Sequence, residues 1–226
     1  MLSGLAWLAL EVKYLDPALK FYRDRLRLPV SDRSDHEVTL VAGETDVVLR
    51  PPGPVPRGGL HTHFAFSIPS EEYNDWWAEL SDSYELVEHR FGRAKSLYLY
   101  DPDGNCVELG QRTDRGAGIS GVFEVVIEVE DLDTAEVFYS RLGASVIDRG
   151  SARKRVRLDL GPVDLELWEP QLGLADARGG VHVDLGFEGD PESVADSIDD
   201  LVCHIEEEPD RVRIRDPDGH WLTVRS

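Results

Sequence analysis

The chain has 226 residues, of which 41% are hydrophobic, so it can bury one large core or two small ones, and its composition is unlike that of disordered, collagen-like or membrane proteins. Its charge is unusual, because 44 Asp and Glu residues outnumber 24 Lys and Arg residues and give a formal net charge of −20. The acidic residues are spread along the chain, and no cluster of basic residues offsets their charge. Because such a chain repels a phosphate backbone, its composition excludes nucleic acid as a partner.

Lysine is rare, since it supplies only Lys13, Lys20, Lys95 and Lys154 of the basic residues. An acidic, lysine-poor composition is typical of proteins kept soluble in concentrated salt, and we therefore expect a halophilic protein. Two cysteines are too few for a disulfide framework. The N-terminus lacks a basic region before its apolar residues, and no stretch approaches the roughly 18 apolar residues of a membrane span. These features predict a cytoplasmic protein that has no contact with a membrane.

In chain order, the sequence opens with the alternating strand LAWLALEV, a YLD turn, and a helix whose apolar residues Ala18, Phe21, Tyr22 and Leu26 follow a 3.6-residue period. The strand pattern GETDVVLRPP comes later. A second unit starts with the strand HTHFAFSIP at His61 and continues into the helix pattern EEYNDWWAEL. It closes with SLYLYDPDGNCVELG, which predicts a hairpin with a DPDG turn.

The same series returns in the second half of the chain, and such self-similarity indicates repeated structural units. FEVVIEVEDLDTAEVFY repeats the first strand, turn and helix, GPVDLELWEP parallels GETDVVLRPP, and RVRIRDPDGHWLTVR repeats the DPDG hairpin. Each unit predicts a strand, a helix and three strands. The polar segment RTDRGAGIS is the predicted linker. We therefore expect two domains, 1–113 (units 1–54 and 55–113) and 120–226 (units 120–173 and 174–226).

Four βαβββ units, the DLD turn before an FY helix, and YDPDGNCVELG together resemble the vicinal oxygen chelate superfamily of glyoxalase I, extradiol dioxygenases, and fosfomycin and bleomycin resistance proteins. The resemblance covers nearly the whole chain. It implies an α+β fold in which pairs of modules form two cup-shaped half-barrels. It also implies a divalent metal in a cup, held by one residue of the first strand and one of the last strand in each contributing module.

Carried over position by position, the resemblance assigns the first-strand ligands to Trp7, His63, Glu124 and His182, and the last-strand ligands to Val48, Glu108, Glu166 and Thr223. Two pairings of the modules are open. If modules 2 and 3 pair, one cup collects His63, Glu108, Glu124 and Glu166. If modules 3 and 4 pair, Glu124 and Glu166 join His182 instead. The first set suits Zn, Ni, Mn or Fe, with geometry selecting the ion.

Neighbouring residues are less specific. His61 lies two residues before His63, hence on the same face of a regular strand, and either histidine or both could bind the metal. Tyr98 and Tyr100 are expected to project into the cup of the second module. For His182 a structural role is favoured, because Thr223 is a weak partner. Cys106 is expected to be a small buried thiol.

By resemblance, the chain is expected to be a metal-dependent lyase or isomerase of the glyoxalase I type, acting on a small α-hydroxycarbonyl or thiohemiacetal through a metal-bound enediolate. Glu108, with Glu124 or Glu166, would be the catalytic base. An extradiol, catechol 2,3-type dioxygenase is an alternative, but it needs two histidines and one carboxylate. A second alternative is a drug-sequestering protein similar to the bleomycin resistance proteins. A small-molecule substrate is expected in the first two cases, and a monomer or homodimer is compatible with four modules.

Overall fold

The repeated unit predicted from the sequence is present four times in the computed structural model, which describes residues 1–53, 59–112, 116–151, 154–170, 182–198 and 200–226, with the side chains of 182 and 183 outside that description. Module 1 contains β1 (Leu2–Glu11), α1 (Leu15–Leu19, continued by a π-helical turn over Lys20–Arg25), β2 (Val30–Arg33), β3 (Val38–Ala42) and β4 (Thr45–Arg50). Module 2 contains β5 (His61–Pro69), a 3-10 turn (Ser70–Glu72), α2 (Tyr73–Ser81), β6 (Val87–Phe91), β7 (Ala94–Tyr100) and β8 (Cys106–Arg112).

The second half of the chain repeats this order. Module 3 contains β9 (Gly121–Glu128), α3 (Leu132–Arg141), β10 (Ser145–Arg149), β11 (Arg155–Asp159) and β12 (Asp164–Trp168). Module 4 contains β13 (His182–Gly189), α4 (Pro191–Ile198), β14 (His204–Glu208), β15 (Arg211–Arg215) and β16 (Trp221–Arg225). The α+β class with a strand, a helix and three strands in each module is confirmed.

The modules pair across the two halves of the chain. One eight-stranded sheet, here the 1/4 sheet, has the order β14-β15-β16-β13-β1-β4-β3-β2. The other, the 2/3 sheet, has the order β10-β11-β12-β9-β5-β8-β7-β6. In each sheet the first strands of two modules lie side by side and antiparallel, and each pairs in parallel with the last strand of its own module. Of the two pairings left open by the sequence, the structure has modules 2 and 3 together.

The FY helices and the DPDG turns hold each half of the chain together. Tyr22 of the first helical segment donates a hydrogen bond from its hydroxyl to Asp101 Oδ2, 2.8 Å away. Tyr139 of α3 donates in the same way to Asp216 Oδ2, also at 2.8 Å. Modules 1 and 2 are therefore joined by helix-to-turn contacts, and so are modules 3 and 4, although neither pair shares a sheet. The division at residues 113 and 120 stays a prediction, and residues 113–115 of the predicted linker lie outside the described residues.

One continuous core lies between the helices and the sheets. In α3, the apolar face buries Ala135, Phe138 and Tyr139, while Val137 is half exposed. Asp131 caps α3 by accepting a hydrogen bond from the backbone N–H of Thr134 at 2.8 Å. Among the described residues, no helix has the length and apolar character needed to cross a membrane.

Candidate metal centre

The site is built on the central strands of the 2/3 sheet. Ala65 of β5 lies opposite Glu108 of β8 on one side and opposite Glu124 of β9 on the other. Cross-strand partners project to the same face, so both carboxylates stand on the face of Ala65, whose small side chain leaves the space between them open. His63, two residues before Ala65 on β5, shares this face and completes the group.

Three buried groups converge there. His63 Nε2 lies 3.3 Å from Glu108 Oε2 and 3.4 Å from Glu124 Oε1. One ligand atom from each of the three residues lies within 4.8 Å of the other two, and each residue is at most 6% exposed. Burial of two carboxylates beside one imidazole is costly unless a cation or a proton compensates them.

The three groups fit a divalent cation. Nitrogen and oxygen ligands bind such ions at about 2.0–2.2 Å, so ligands of one ion lie about 3.0–3.4 Å apart at octahedral or tetrahedral angles. The two distances from His63 Nε2 are of this size. A neutral imidazole and two carboxylates also balance a 2+ charge. The chemistry of the donor set therefore agrees with a divalent metal.

The charges and hydrogen bonds of the cluster shift the pKa values of His63 and Glu108 in opposite directions. Burial lowers the pKa of His63, but hydrogen bonds to Glu108 and Glu124 and the charges of both outweigh it and raise the pKa to about 9. Burial raises the pKa of Glu108, and the hydrogen bond and charge of His63 more than reverse this, so that its net pKa is lowered. The hydroxyl of Tyr98, which lies opposite Glu108 on β7, donates to Glu108 Oε2 at 2.6 Å.

Glu166 shares the face but not the cluster. On the sheet, Val126 lies between His63 and Glu166, which places Glu166 one strand beyond the converging groups. Trp168 Nε1 donates a hydrogen bond to Glu166 Oε2 at 2.7 Å, and Arg155 Nη1 lies 3.1 Å from Oε1. Burial, followed by the charge of Glu124, raises the pKa of Glu166 against these partners. The predicted set of four ligands is therefore three converging groups and one carboxylate held apart.

Arg157 of β11 connects these carboxylates. Its guanidinium lies 2.6 Å from Glu124 Oε2, 2.7 Å from Asp164 Oδ2 and 3.6 Å from Glu166 Oε1. Since Arg157 occupies the second oxygen of Glu124, it directs the first oxygen toward His63. Arg155 and Arg157 were not predicted as site residues, although their alternation in RVRLD indicates that both project from one face of a strand.

His61 is not on this face. The pairing of β5 with β9 shifts between His61 and His63, so a β-bulge reverses the alternation that the sequence predicts. His61 lies opposite Ile127, is buried, and its ring contacts Phe64 at 5.7 Å between centroids. The expectation that His61 shares the face of His63 is wrong for this reason.

Tyr98, Tyr100 and Cys106 differ in their position relative to the cluster. Tyr98 contacts the cluster as expected, with its ring 5.4 Å from that of His63, whereas Tyr100 is 46% exposed. Cys106 is buried as expected, and burial raises the pKa of its thiol to about 12, which makes it a poor nucleophile.

The equivalent positions of the 1/4 sheet follow from its register. Ala9 corresponds to Ala65, because it lies opposite Val48 on β4 and Asp184 on β13. The first-strand position of module 4 is therefore Asp184 rather than His182, whose side chain lies outside the described residues. Asp184 is buried and accepts hydrogen bonds from Trp7 Nε1 at 2.8 Å and from Thr223 Oγ1 at 2.9 Å. Trp7, Val48 and Thr223 offer no strong ligand, and the two sheets thus differ in chemistry.

Comparison with known proteins identifies the superfamily to which this fold belongs. Residues 4–109 match the family model described as the Glyoxalase/Bleomycin resistance protein/Dioxygenase superfamily. Over 117 residues, 48% of this chain and 81% of the relative, the sequence is 33% identical to the metallothiol transferase FosB of Staphylococcus epidermidis. The chain belongs to this superfamily, also called the vicinal oxygen chelate superfamily, and the resemblance seen in its sequence is confirmed.

Solved structures match over almost the entire chain. Glyoxalase I from Zea mays superposes with a TM-score of 0.75 at 19% identity, covering 98% of this chain and 92% of that one. A candidate dioxygenase from Bacillus subtilis superposes with a TM-score of 0.76 at 13% identity, covering 99% and 85%. At these identities the likeness concerns the fold alone.

Proposed function

We propose that this protein is a metal-dependent enzyme of the glyoxalase I type, which isomerises a small α-hydroxycarbonyl compound or thiohemiacetal. The observation that carries the proposal is the convergence of His63, Glu108 and Glu124 at one buried point, beside a fourth carboxylate, Glu166, that is not part of the cluster. His63, Glu108 and Glu124 would hold the ion. When bound, a divalent cation supplies Lewis-acid polarisation of adjacent substrate oxygens.

The remaining groups prepare the proton transfer. Isomerisation of an α-hydroxycarbonyl moves a proton from one carbon to its neighbour, which needs a carboxylate close to both carbons. Glu166 is suited to act as this base, because Trp168 and Arg155 hold it beside the cluster and neither of its oxygens contacts His63. The resemblance implied Glu108, together with Glu124 or Glu166, as the base. Glu108 is less suited to this role because its Oε2 lies 3.3 Å from His63 Nε2 and accepts a hydrogen bond from Tyr98.

Metal content tests the centre. Protein purified without added metal is expected to hold one divalent ion per chain, measured by elemental analysis. Glu124→Gln is expected to lose most of it, because an amide is a weak ligand. Asp184→Asn is the matched control, since it makes the same change at the equivalent position of the 1/4 sheet. Equal metal content in both variants would contradict the role of Glu124 as a metal ligand. A wild-type protein without metal would favour the drug-sequestering alternative.

Turnover separates the two possible bases. The assay uses the thiohemiacetal that methylglyoxal forms with glutathione as a probe, and follows the product by its thioester absorbance. Glu166→Gln is expected to reduce kcat by at least about a hundredfold while metal content stays near one per chain. Glu108→Gln is expected to reduce metal content together with activity. Full metal content with lost turnover in Glu108→Gln would instead return the role of base to Glu108.

A metal-dependent thiol transferase is a second candidate, favoured by the 33% identity to metallothiol transferase FosB. A transferase joins a thiol to an electrophile as a thioether, whereas an isomerase yields a thioester. Incubation of the metal-loaded protein with glutathione and a small epoxide, with mass analysis of the product, distinguishes the two. The dioxygenase alternative is weakened, because the bulge before His63 turns the second histidine away from the cluster.

A further inference from the structure

A cavity of about 930 Å³ lies between the two sheets, apart from the metal centre. It is lined by equivalent segments of both halves, the starts of β1 and β9 (residues 3–6 and 120–123) and the turns before β4 and β12 (residues 44–46 and 162–164). The cavity therefore lies on the pseudo-twofold axis of the repeat. Its volume is in the range of small-molecule binding sites, about 300–1,000 Å³.

The wall of this cavity carries both signs of charge. Arg112, at the end of β8, places its guanidinium 3.9 Å from the centre of the Phe123 ring, which holds the planar group in one orientation. Within the part of the chain that the structure describes, Arg112 forms no ion pair within 4.0 Å, although the chain has 44 acidic residues against 24 basic ones. A fixed arginine without a carboxylate partner is suited to bind the carboxylate of a ligand.

Carboxylates line the cavity from the other sheet. Glu44 and Asp46, at the start of β4, form no ion pair within 4.0 Å over the described residues. Besides these two and Arg112, the charged residues of the lining are paired, Glu188 with Arg225 and Asp164 with Arg157. The lining also contains apolar surface, contributed by Leu5, Val122 and Pro162 among others. Two unpaired carboxylates and an unpaired arginine on opposite sheets, with apolar surface in the same lining, are complementary to a molecule that carries an ammonium group, a carboxylate and an apolar body.

We propose that the cavity between the sheets binds a small zwitterion with an apolar body, of the kind represented by a short peptide with free ends, its carboxylate on Arg112 and its ammonium group on Asp46 and Glu44. A purely anionic ligand would meet the acidic wall, and a purely cationic ligand would leave Arg112 without a partner.

Contacts within the 2/3 sheet link the cavity to the proposed metal centre. Asp164 lines the cavity, and Arg157 joins Asp164 to Glu124 with contacts of 2.7 and 2.6 Å. Phe123, which supports Arg112, immediately precedes Glu124 in β9. Binding that moves Asp164 or Phe123 is therefore coupled to the position of Glu124, and linkage requires the coupling to act in both directions.

Calorimetric titration tests the proposal, with the free dipeptides Ala-Phe, Ala-Leu and Ala-Val, their N-acetyl derivatives and their C-terminal amides as probes. The metal-free and the metal-loaded full-length protein are both titrated, so that the outcome does not depend on the proposed enzymatic activity. At least one free dipeptide is expected to bind with one molecule per chain. Its acetylated and amidated forms are each expected to bind about tenfold more weakly, because each leaves one charged wall without a partner.

The variant Arg112→Met is expected to weaken the free dipeptide about tenfold and to leave the amide unchanged, because the amide has no carboxylate to lose. Asp46→Asn is expected to weaken the free dipeptide and to spare the acetylated form. Arg27→Met is the matched control, since Arg27 also stacks on an aromatic ring, that of Trp76, away from the cavity. Failure of every free dipeptide to bind, equal affinity of a dipeptide and its amide, or an unchanged affinity in Arg112→Met would each overturn the proposal.

Discussion

Single residues decide which of the two sheets carries the proposed metal centre. The positions of His63, Glu108, Glu124 and Glu166 in the 2/3 sheet correspond to Trp7, Val48, Asp184 and Thr223 in the 1/4 sheet. In the 1/4 sheet, the buried carboxylate of Asp184 accepts hydrogen bonds from the indole of Trp7 and the hydroxyl of Thr223. In the 2/3 sheet, two carboxylates compete for one imidazole nitrogen. The same backbone thus supports a satisfied polar cluster in one sheet and a candidate cation site in the other.

Arg157 is expected to act as a substitute cation when the metal is absent. In Arg157→Met, Glu124, Glu166 and Asp164 lose a partly buried positive partner, so the metal-free protein should lose about 3 kcal/mol of unfolding free energy. Saturating Zn²⁺ or Mn²⁺ should restore part of this loss, because the ion compensates Glu124. Urea unfolding with and without metal measures both values.

The control for Arg157 lies in the other sheet. Arg213 lies opposite Thr223 as Arg157 lies opposite Glu166, so Arg213→Met is the matched change. Its effect on unfolding is expected to be independent of added metal. A loss in Arg157→Met that metal leaves untouched would contradict the role given to Arg157.

We expect Tyr98 to support the proposed metal centre through Glu108. Removing its hydroxyl in Tyr98→Phe breaks the 2.6 Å hydrogen bond that orients Glu108 Oε2. Partners that orient a ligand commonly contribute 10- to 100-fold to metal affinity, and we expect a loss of about tenfold, measured by competition with a chelating dye. Tyr100→Phe, on the exposed next-but-one residue, should leave metal affinity unchanged. An equal loss in both variants would argue against a specific effect of the Tyr98 hydroxyl.

At the scale of elements, the motifs that make the sequence recognisable are structural. The tyrosines of the FY helices donate to the first aspartates of the DPDG turns, and these aspartates also accept backbone N–H groups within the turn. In both turns the final glycine has a positive φ, 86° at Gly104 and 92° at Gly219, which a side chain would disfavour. The motifs therefore predict how helices and hairpins meet, and they are silent about chemistry.

The Tyr139 hydroxyl is expected to stabilise the fold without affecting the metal. Tyr139→Phe leaves buried Asp216 without one of its donors, which should cost about 2 kcal/mol of unfolding free energy. Metal content should stay at the wild-type value. Tyr14→Phe, on a tyrosine that is largely exposed, is the control, and urea unfolding provides the measurement. A stability equal to that of the wild type would show that the hydrogen bond contributes nothing.

The sequence predicts the structure where its patterns are regular and fails where the backbone is irregular. The repeat predicts the order of strands and helices in all four modules, because each module must bury the same apolar faces. It also predicts that Glu108 and Glu124 belong to one sheet if modules 2 and 3 pair. The bulge before His63 has no signal in HTHFAF, so His61 was assigned to the wrong face. Asp184 was missed because the alignment of the fourth module depended on a histidine, while the register depends on backbone pairing.

At the scale of the whole molecule, the net charge of −20 implies self-repulsion that salt relieves. The melting temperature is expected to rise by several degrees between 0.1 and 2 M KCl, measured by circular dichroism. Sucrose, which stabilises proteins without screening charge, separates general exclusion effects from electrostatic ones. A melting temperature that is constant or falls with KCl would contradict the halophilic character expected from composition.

Because the modules pair across the two halves of the chain, the proposed metal centre needs residues from both halves. Fragment 1–113 contains His63 and Glu108, whereas fragment 120–226 contains Glu124 and Glu166, and the sheet joins them through β5 and β9. Neither fragment alone is expected to bind one metal ion per chain. Each would also expose the edges of two central strands, β1 and β5 or β9 and β13, and should associate with itself or aggregate.

Refolding the two fragments together is expected to restore a 1:1 complex that holds one metal ion, because the antiparallel pairs β1–β13 and β5–β9 form the same way without the linker. The complex is measured by size-exclusion chromatography with elemental analysis of the peak. The same mixture with Glu124→Gln in the second fragment is the control, and it should assemble without the metal. A single fragment that binds one ion per chain with the affinity of the intact protein would contradict the crossed pairing, since no fragment carries all three converging groups.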